Sequence, residues 1–308
     1  MLSWVLLLLL VLLVTALFIA LFLHTQRPDT FVHGGVIADG GVIAAVYRGR
    51  NATKPYPWLC TMEVFYDGAW VITCAGTLIS PTVVVSAGHC PIFYNYVSLA
   101  KHNQVRLCLG RWSVDSDDGV EFRTMKAAYM FDTNVASFND LDPTTGKNKD
   151  DVSVIILDRP SSHAPARLAD ANFVPKGPMK IIGFGQNSFN AKTMKGTVPK
   201  VLQEASVSQI PCTDKDSISR KLLCAINPQT GASGCEGDSG GPLFVEDPTT
   251  GQAIVFGATS GGGNCGSGPG AWTDLRLYVP WIKSFINNTR ITNTPLYPKN
   301  FMGTPNPK

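Results

Sequence analysis

Short apolar runs separated by glycine and proline clusters dominate the chain from about Pro57 onwards. Residues 58–66 and 69–79 flank Asp67-Gly68, a pattern that predicts a β-hairpin with a tight turn. Apolar clusters predict further strands at residues 83–85, 152–157, 180–183, 201–207 and 254–259. Many short strands with turn signals between them are typical of an all-β barrel or sandwich.

One helix is predicted close to the C-terminus, and it starts near Tyr278. A single face of it would carry the apolar residues Tyr278, Val279, Ile282, Phe285 and Ile286. Pro280 falls in the first turn, where proline is tolerated. Residues 289–308 are polar and rich in proline, so we expect a disordered tail.

The N-terminus begins with an apolar segment at residues 4–23, which contains no charged residue. About 20 apolar residues span a bilayer, whereas a signal peptide has a shorter apolar stretch and a basic start. Two alternatives stay open for residues 1–23: an uncleaved signal anchor or an atypical signal peptide. Either one sends the chain into the secretory pathway, to be secreted or to remain anchored as a type II membrane protein. The glycine-rich residues 24–45 are interpreted as a linker or pro-segment.

Composition excludes two classes of protein. The chain is 44% apolar with 26 basic and 23 acidic residues, which is not the composition of a disordered protein. A net charge of +3 is too small to indicate a nucleic-acid partner. Contact with a membrane is expected only through residues 4–23, and only if they are not cleaved.

The eight cysteines agree with an oxidising compartment, where their even number predicts four disulfides. Four lie between residues 60 and 108 and four between residues 212 and 265. If each group closes on itself, three pairings remain open in each. A zinc site is disfavoured because the sequence has no Cys-x-x-Cys pair. Two sequons make Asn51 and Asn287 candidate glycosylation sites.

Three segments carry candidate chemistry: residues 78–90 with His89, residues 150–157 with a leading pair of aspartates, and residues 234–243 with Ser239. A serine hydroxyl becomes a nucleophile when a neighbouring base takes its proton. An imidazole suits that task at neutral pH, and a buried carboxylate can fix its tautomer. Glycines around a serine let backbone N–H groups approach a developing oxyanion.

The order His, Asp, Ser and the local motifs resemble the chymotrypsin-like (trypsin-fold) serine endopeptidases. The resemblance covers residues 46–288 and is carried by Ser-Ala-Gly-His-Cys at 86–90 and Gly-Asp-Ser-Gly-Gly-Pro at 237–242. It implies an all-β fold of two antiparallel six-stranded β-barrels with a C-terminal helix. It also implies that His89 is the general base, Asp151 its partner and Ser239 the nucleophile. Asp150 is the rival of Asp151.

The same resemblance implies further site residues. The backbone N–H groups of Gly237 and Ser239 would form the oxyanion hole. Ser233 would form the floor of the primary specificity pocket, with Ser260, Gly262 and Gly270 also binding substrate. Because Ser233 is uncharged, we expect a large apolar or aromatic residue before the scissile bond.

Activation is expected to free the amino group of Val46, which would pair with Asp238. Ala45 precedes this start, so a trypsin-like activator would not cut there, and cuts after Arg48 or Arg50 are the alternatives.

The resemblance pairs six of the cysteines, as Cys74–Cys90, Cys212–Cys224 and Cys235–Cys265. The remaining two, Cys60 and Cys108, would then form a fourth bridge.

No cofactor and no metal are expected. The acidic cluster around Asp117 is interpreted as a solvated loop, because Arg111 stands where the family's calcium loop begins with an acid. The expected partners are protein or peptide substrates and proteinaceous inhibitors, and the expected state is a monomer. A rival hypothesis is an inactive homologue that binds partners through the same surface.

Overall fold

The computed structural model describes residues 46–66, 68–92, 104–131, 150–185, 188–190, 195–197, 199–262, 265 and 268–287. The predicted leader (1–23), linker (24–45) and tail (289–308) lie outside this set, as does Asp67 of the predicted turn. Within the described ranges, no helix has the length and hydropathy needed to cross a bilayer.

Seven strands, numbered in chain order, form the first sheet: β2 (Leu59–Tyr66), β3 (Ala69–Ser80), β4 (Val83–Ser86), β5 (Val105–Leu109), β6 (Glu121–Arg123), β7 (Met125–Met130) and β8 (Ser153–Leu157). Their spatial order is β6-β5-β2-β3-β4-β8-β7, an antiparallel half-barrel. The predicted hairpin is β2 and β3, and Gly68 in its turn has φ +82°. Only glycine adopts such an angle readily, which explains its place there.

The second sheet contains β1 (Arg50–Asn51), β9 (Arg167–Leu168), β10 (Met179–Gly183), β13 (Gln203–Ile210), β14 (Leu223–Ile226), β15 (Pro242–Glu246), β16 (Ala253–Gly262) and β17 (Gly270–Asp274). Six of these close into a barrel in the order β13-β10-β15-β16-β17-β14, with β14 pairing back to β13. The short strands β1 and β9 add to β13 and β16. Strands β11 (Ser188–Asn190) and β12 (Lys195–Thr197) form a separate pair. The predicted all-β fold is confirmed: the second sheet contains a closed six-stranded barrel, and the first is the seven-stranded half-barrel.

Two α-helices lie wholly within the described part, α1 (Lys215–Ser219) and the C-terminal α2 (Val279–Ile286), and residues 89–92, which include His89, are also helical. A 3-10 helix at Leu275–Tyr278 precedes α2, so the predicted helix starts one residue later than expected. Val279, Ile282 and Phe285 are the buried face of α2, which matches the periodicity of the sequence.

Edge-to-face aromatic rings join the segment just before β2 to the second sheet. Tyr56, Trp58 and Phe244 lie with ring centroids 5.1–5.7 Å apart. All three are buried, and they belong to a core cluster that draws side chains from both sheets. A second cluster fills the closed barrel around Trp272. The first cluster therefore joins the two sheets, whereas the second lies around the closed barrel.

Three disulfides are present among the described residues: Cys74–Cys90, Cys212–Cys224 and Cys235–Cys265. The expected bridge between Cys60 and Cys108 is wrong, since both are free, buried thiols. In the β2–β5 register Cys60 lies opposite Leu109, while Cys108 lies opposite Thr61. Successive side chains on a strand point to opposite faces, so the two sulfurs lie on different sides of the sheet. Burial raises the pKa of both thiols, which keeps them protonated and unreactive.

The outer face of β2 is covered by a buried ion cluster. Glu63, which is 2% exposed, accepts from Arg106 through Oε2 (2.7 Å to Nη2) and pairs with Arg111 through Oε1 (2.7 Å to Nε). Arg111 is 3% exposed and also contacts Asp117 Oδ1 at 3.0 Å. The Arg106 guanidinium lies between the rings of Trp70 and Phe122. Loop 110–120, with its acidic residues, is therefore tied to the sheet by an arginine.

Candidate active site

Two neighbouring strands bring His89 and Asp151 together. Strand β4 ends at Ser86, three residues before His89, and β8 begins at Ser153, two residues after Asp151. The strands pair antiparallel with Ser86 opposite Ser153, and Ser153 Oγ donates to the carbonyl of Ala87 at 2.8 Å. The apolar residues of both strands are buried in the first sheet. His89 and Asp151 lie just beyond the strand ends, at the same edge of the sheet.

The imidazole of His89 is held by the carboxylate of Asp151. Nδ1 lies 3.0 Å from Oδ2 and 3.2 Å from Oδ1, and the backbone N–H of His89 donates to Oδ1 at 2.9 Å. Ser260 Oγ donates to Oδ2 at 2.5 Å. Thr273 Oγ1 donates to the backbone carbonyl of Asp151 at 2.8 Å. Both the side chain and the backbone of Asp151 are therefore fixed from the second sheet.

The electrostatics of this pair favour its charged form. Burial alone would raise the pKa of Asp151, but His89, the Arg220 guanidinium and the Ser260 hydroxyl together hold it well below its usual range. Burial would lower the pKa of His89, but the facing carboxylate outweighs it, so the pKa is raised. Arg220 opposes that rise. An imidazole oriented through Nδ1 leaves Nε2 free to take a proton.

The two adjacent aspartates have different surroundings. Asp150 accepts from the hydroxyl of Tyr278 through Oδ1 at 2.6 Å, whereas Asp151 faces the imidazole. Burial and this bond raise the pKa of Tyr278, so its hydroxyl stays a neutral donor. The geometry favours Asp151 over Asp150 as the partner of His89.

The segment that carries Ser239 lies against the strand before His89. The N–H of Ala75 on β3 donates to the carbonyl of Ser239 at 2.7 Å, and the neighbouring Cys74 is bridged to Cys90. Gly240 has φ +76°, and a Cβ there would lie 2.1 Å from Ser86 Oγ and 2.9 Å from the backbone N of Ala87. Only glycine allows this approach. The predicted nucleophile and the predicted base therefore sit on segments in direct contact.

The backbone around Ser239 alternates between engaged and free N–H groups. Those of Asp238, Gly240 and Gly241 donate to backbone carbonyls at 2.7–3.0 Å. Those of Gly237 and Ser239 have no such acceptor among the described residues. Two free, neighbouring N–H groups beside a hydroxyl are what an oxyanion hole requires.

Asp238 is buried next to this loop. Its carboxylate accepts from the N–H of Gly185 (2.8 Å) and of Cys235 (3.0 Å), and it is 3% exposed. Burial raises its pKa to about 7, although the two N–H groups lower it, and Glu236 raises it further. Within the described part of the chain, no cation contacts this carboxylate.

The residues expected to form a specificity pocket come together beneath this loop. Ser233 is 1% exposed and carries no charge. Gly262 and Gly270 are register partners on β16 and β17. The ring of Trp272 lies against Gly234 and Gly270, since a Cβ on Gly270 would be 2.6 Å from the indole. Ser233 and Trp272 are both fully buried, so these groups pack against one another beneath the loop.

The predicted start of the mature chain reaches the same pocket. Val46 is 1% exposed, and Tyr47 exchanges two backbone hydrogen bonds with Ser233, at 3.0 and 3.3 Å. The first described residues are thus joined to the pocket floor.

A model of the Trypsin family matches residues 47–282. That span holds both sheets and every residue of the candidate triad. The chain belongs to the Trypsin family.

Curated relatives of this Trypsin-family chain are distant. It is 27% identical over 252 residues to the urokinase-type plasminogen activator of Gallus gallus, covering 75% of this chain and 55% of that protein. It is 25% identical over 264 residues to the clotting factor G beta subunit of Tachypleus tridentatus, covering 79% and 80%. It is 26% identical over 246 residues to the CLIP domain-containing serine protease HP8 of Bombyx mori, covering 74% and 66%. The chain thus spans little more than half of the first relative.

Among solved structures, human heparin binding protein aligns with a TM-score of 0.60 at 20% identity, covering 80% of this chain and all of that one. At this identity the likeness supports the fold alone. It agrees with the two β-barrels of the Trypsin-family domain.

Sequence patterns missed two residues of the site. Arg220, just after α1, donates from Nη2 to Ser260 Oγ at 2.5 Å. The second is Trp272, a buried indole that packs against Gly234 and Gly270 beneath the loop of Ser239. A lone arginine in a polar loop gives no signal of its own, because its contact depends on the fold of the second sheet.

Two smaller expectations concern modification and metal binding. Asn51 and Asn287 are both exposed, as glycosylation requires, and Asn51 Oδ1 accepts from Gln203 at 2.7 Å. Within the described ranges, the one cluster of candidate metal ligands is Cys74, His89 and Cys90. The disulfide between its two cysteines removes their thiolates as ligands.

Proposed function

We propose that the protein is a serine endopeptidase that cleaves peptide bonds through Ser239, His89 and Asp151. The observation that carries this is the His89–Asp151 pair, with Nδ1 3.0 Å from Oδ2, beside the segment of Ser239. Family membership and the naming of one relative as a serine protease agree with it. Protein or peptide chains are the proposed substrates, and inhibitors that bind as substrates do are the proposed partners.

The proposed reaction has two stages. Ser239 Oγ attacks the scissile carbonyl while His89 Nε2 takes its proton, and the resulting oxyanion is bound by the N–H groups of Gly237 and Ser239. His89 then gives the proton to the leaving amine, which departs and leaves an acyl-enzyme. A water molecule, deprotonated by His89, cleaves that ester and restores Ser239. Asp151 stabilises the imidazolium in both stages, and these roles are those known for the family.

The proposed preference is for a large apolar or aromatic residue before the scissile bond. It is supported by the uncharged Ser233 at the expected floor position and by the glycines at 262 and 270. Peptide substrates that differ only at this residue provide the test. Faster cleavage after Arg or Lys than after Phe, Tyr or Leu would reject the preference.

Activation is proposed to occur by cleavage before Val46. The new ammonium would supply Asp238 with the cation that no described residue gives it. The buried Val46 and the bonds between Tyr47 and Ser233 support this start. N-terminal sequencing of active protein tests it, and a start at Gly49 or Asn51 would overturn it.

The proposed location is the secretory pathway, because three disulfides are stable in an oxidising compartment. The state of residues 4–23 and use of the two sequons remain predictions from the sequence.

One experiment separates the peptidase from an inactive, partner-binding homologue. The processed protein is treated with a serine-directed phosphonate and compared with Ser239→Ala. A peptidase is labelled at Ser239, and the variant loses about six orders of magnitude in kcat. Absence of labelling in correctly processed, folded protein would favour the binding protein.

A further inference from the structure

Arg220 lies at the end of α1, inside the loop closed by the Cys212–Cys224 disulfide. Its backbone N–H donates to the carbonyl of Asp216 at 3.0 Å, and its Nη1 donates to the Asp216 carboxylate at 3.1 Å. These contacts direct the guanidinium away from the loop. The side chain is 14% exposed, whereas Asp216 is 41% exposed. The arginine is therefore a largely buried cation with one partner near solvent.

The other side of the guanidinium meets the candidate catalytic pair. Nη2 donates to Ser260 Oγ at 2.5 Å and lies 3.6 Å from Asp151 Oδ2. The same Ser260 hydroxyl donates to Oδ2, which also faces His89 Nδ1 at 3.0 Å. Asp151 Oδ2 thus faces both a guanidinium and an imidazole, on a carboxylate that is 4% exposed.

Among the described residues, few other charged groups lie around this pair. Asp151, just before β8, and Glu236, in the Ser239 loop, are the described acidic groups that act on His89. Asp216 faces Arg220 from α1, and Asp150 is bonded to the neutral hydroxyl of Tyr278. Arg220 is the cation that acts on both His89 and Asp151. Charge–charge effects are strong here because the groups are largely removed from water.

We propose that Arg220 is a positioning residue that sets the proton affinity of His89 by sharing the negative charge of Asp151. An imidazolium is stabilised by the full carboxylate charge, and a guanidinium at the same oxygen reduces that stabilisation. His89 therefore stays neutral, and able to act as a base, to a lower pH than it would without Arg220. The catalytic consequence rests on the proposed peptidase function, but the effect on His89 does not.

The first measurement is the titration of the His89 ring by NMR, made on the full chain with Ser239→Ala so that it cannot digest itself. In this background we compare Arg220→Gln with Lys221→Gln, which removes the same charge from an exposed neighbour. Arg220→Gln should raise the pKa of His89 by about one pH unit, and Lys221→Gln by less than about 0.2. Arg220→Lys keeps the charge and should restore most of the original value.

A merely structural role for Arg220 gives a different result. In that case Arg220→Gln lowers stability or raises KM, while the His89 titration stays where it was, and the proposal is overturned. Asp216→Asn provides an independent check if Arg220→Gln does not fold. It leaves Arg220 in place without its solvent-side partner, so the pKa of His89 should fall by a few tenths of a pH unit, as an order-of-magnitude expectation. No change, or a rise, would also overturn the proposal.

The pH profile of kcat/KM links the effect to catalysis. Arg220→Gln on the active protein should move the acid limb upwards by the same amount, so that activity well below the limb drops about tenfold for each pH unit. A wild-type protein without peptidase activity contradicts the proposed function, while the NMR titration still decides the role of Arg220. If the enzyme is active and the acid limb of its pH profile does not move, only the proposed role of Arg220 is contradicted.

Discussion

Two buried aspartates flank the candidate nucleophile, and their surroundings differ in kind. Asp151, 4% exposed, has an imidazole, a hydroxyl and a guanidinium around its carboxylate, and its pKa is lowered. Asp238, 3% exposed, has two backbone N–H groups, and its pKa is raised to about 7. Two equally buried carboxyl groups therefore have pKa shifts of opposite sign. The partners decide the charge of a buried acid, and Asp238 is the one that still needs a cation.

The largest expected effect comes from removing the charge that His89 faces. Asp151→Asn should lower kcat by about four orders of magnitude, a magnitude known from the family itself, because the amide favours the wrong imidazole tautomer. Asp150→Asn is the matched control and should change kcat less than about threefold, since its carboxylate faces Tyr278. Steady-state kinetics of both variants measure this. Equal losses would mean that both aspartates act on His89.

The second effect concerns the stability of the uncleaved chain. The raised pKa of Asp238 means that the folded state keeps a proton that the unfolded state has lost between pH 4 and 7. Stability therefore falls as pH rises through this window, by up to about 4 kcal/mol from this group. Asp151 acts in the opposite sense, since its lowered pKa gives stability that is lost as pH falls below about 4.

Urea unfolding of the uncleaved chain and of Asp238→Asn at several pH values separates the two aspartates. In the variant, the free energy of unfolding should no longer fall between pH 4 and 7. Loss of a hydrogen-bond acceptor would lower it by the same amount at every pH. A slope unchanged by the substitution would show that Asp238 does not hold this proton.

A third experiment extends the comparison to Glu63, a buried acid that pairs with two arginines and has no role in the proposed reaction. Arg111→Met should destabilise the fold by about 3 kcal/mol, near the lower end for a broken buried pair because Arg106 remains on Glu63. Arg50→Met, at a pair whose arginine is 72% exposed, should cost less than about 1 kcal/mol. Chemical denaturation compares them. Similar costs would indicate that burial of the pair does not matter.

The smallest effect sharpens the contrast between Asp150 and Asp151. Tyr278→Phe removes one hydrogen bond to Asp150 and should cost about 1 kcal/mol of stability, with kcat changed less than about threefold. Tyr66→Phe, at a half-exposed ring, should be silent in both assays. A large loss of kcat in Tyr278→Phe would indicate that the charge of Asp150 also affects His89.

Much of the fold and of the candidate site could be predicted from the sequence because the signals are local. The apolar runs of β4 and β8 end beside His89 and Asp151, and the glycines around Ser239 mark the tight approach. The predictions that failed concern contacts between segments that are distant in the sequence. Nothing in the sequence gives the β2–β5 register, which turns Cys60 and Cys108 to opposite faces. Likewise, only the folded second sheet brings Arg220 to Ser260.

Gly240 lets two segments of the chain approach each other more closely than any side chain would permit. This glycine is one of the places where the second half of the chain contacts the first sheet, and a methyl group there would fall 2.1 Å from Ser86 Oγ and 2.3 Å from the carbonyl oxygen of Ala75. Neither neighbour can retreat freely, because Ser86 Oγ itself donates to Ala75 O at 2.7 Å. A side chain at position 240 would therefore push the Ser239 segment away from β3 and β4. Any evolving sequence that keeps this architecture has one residue type to choose from at position 240.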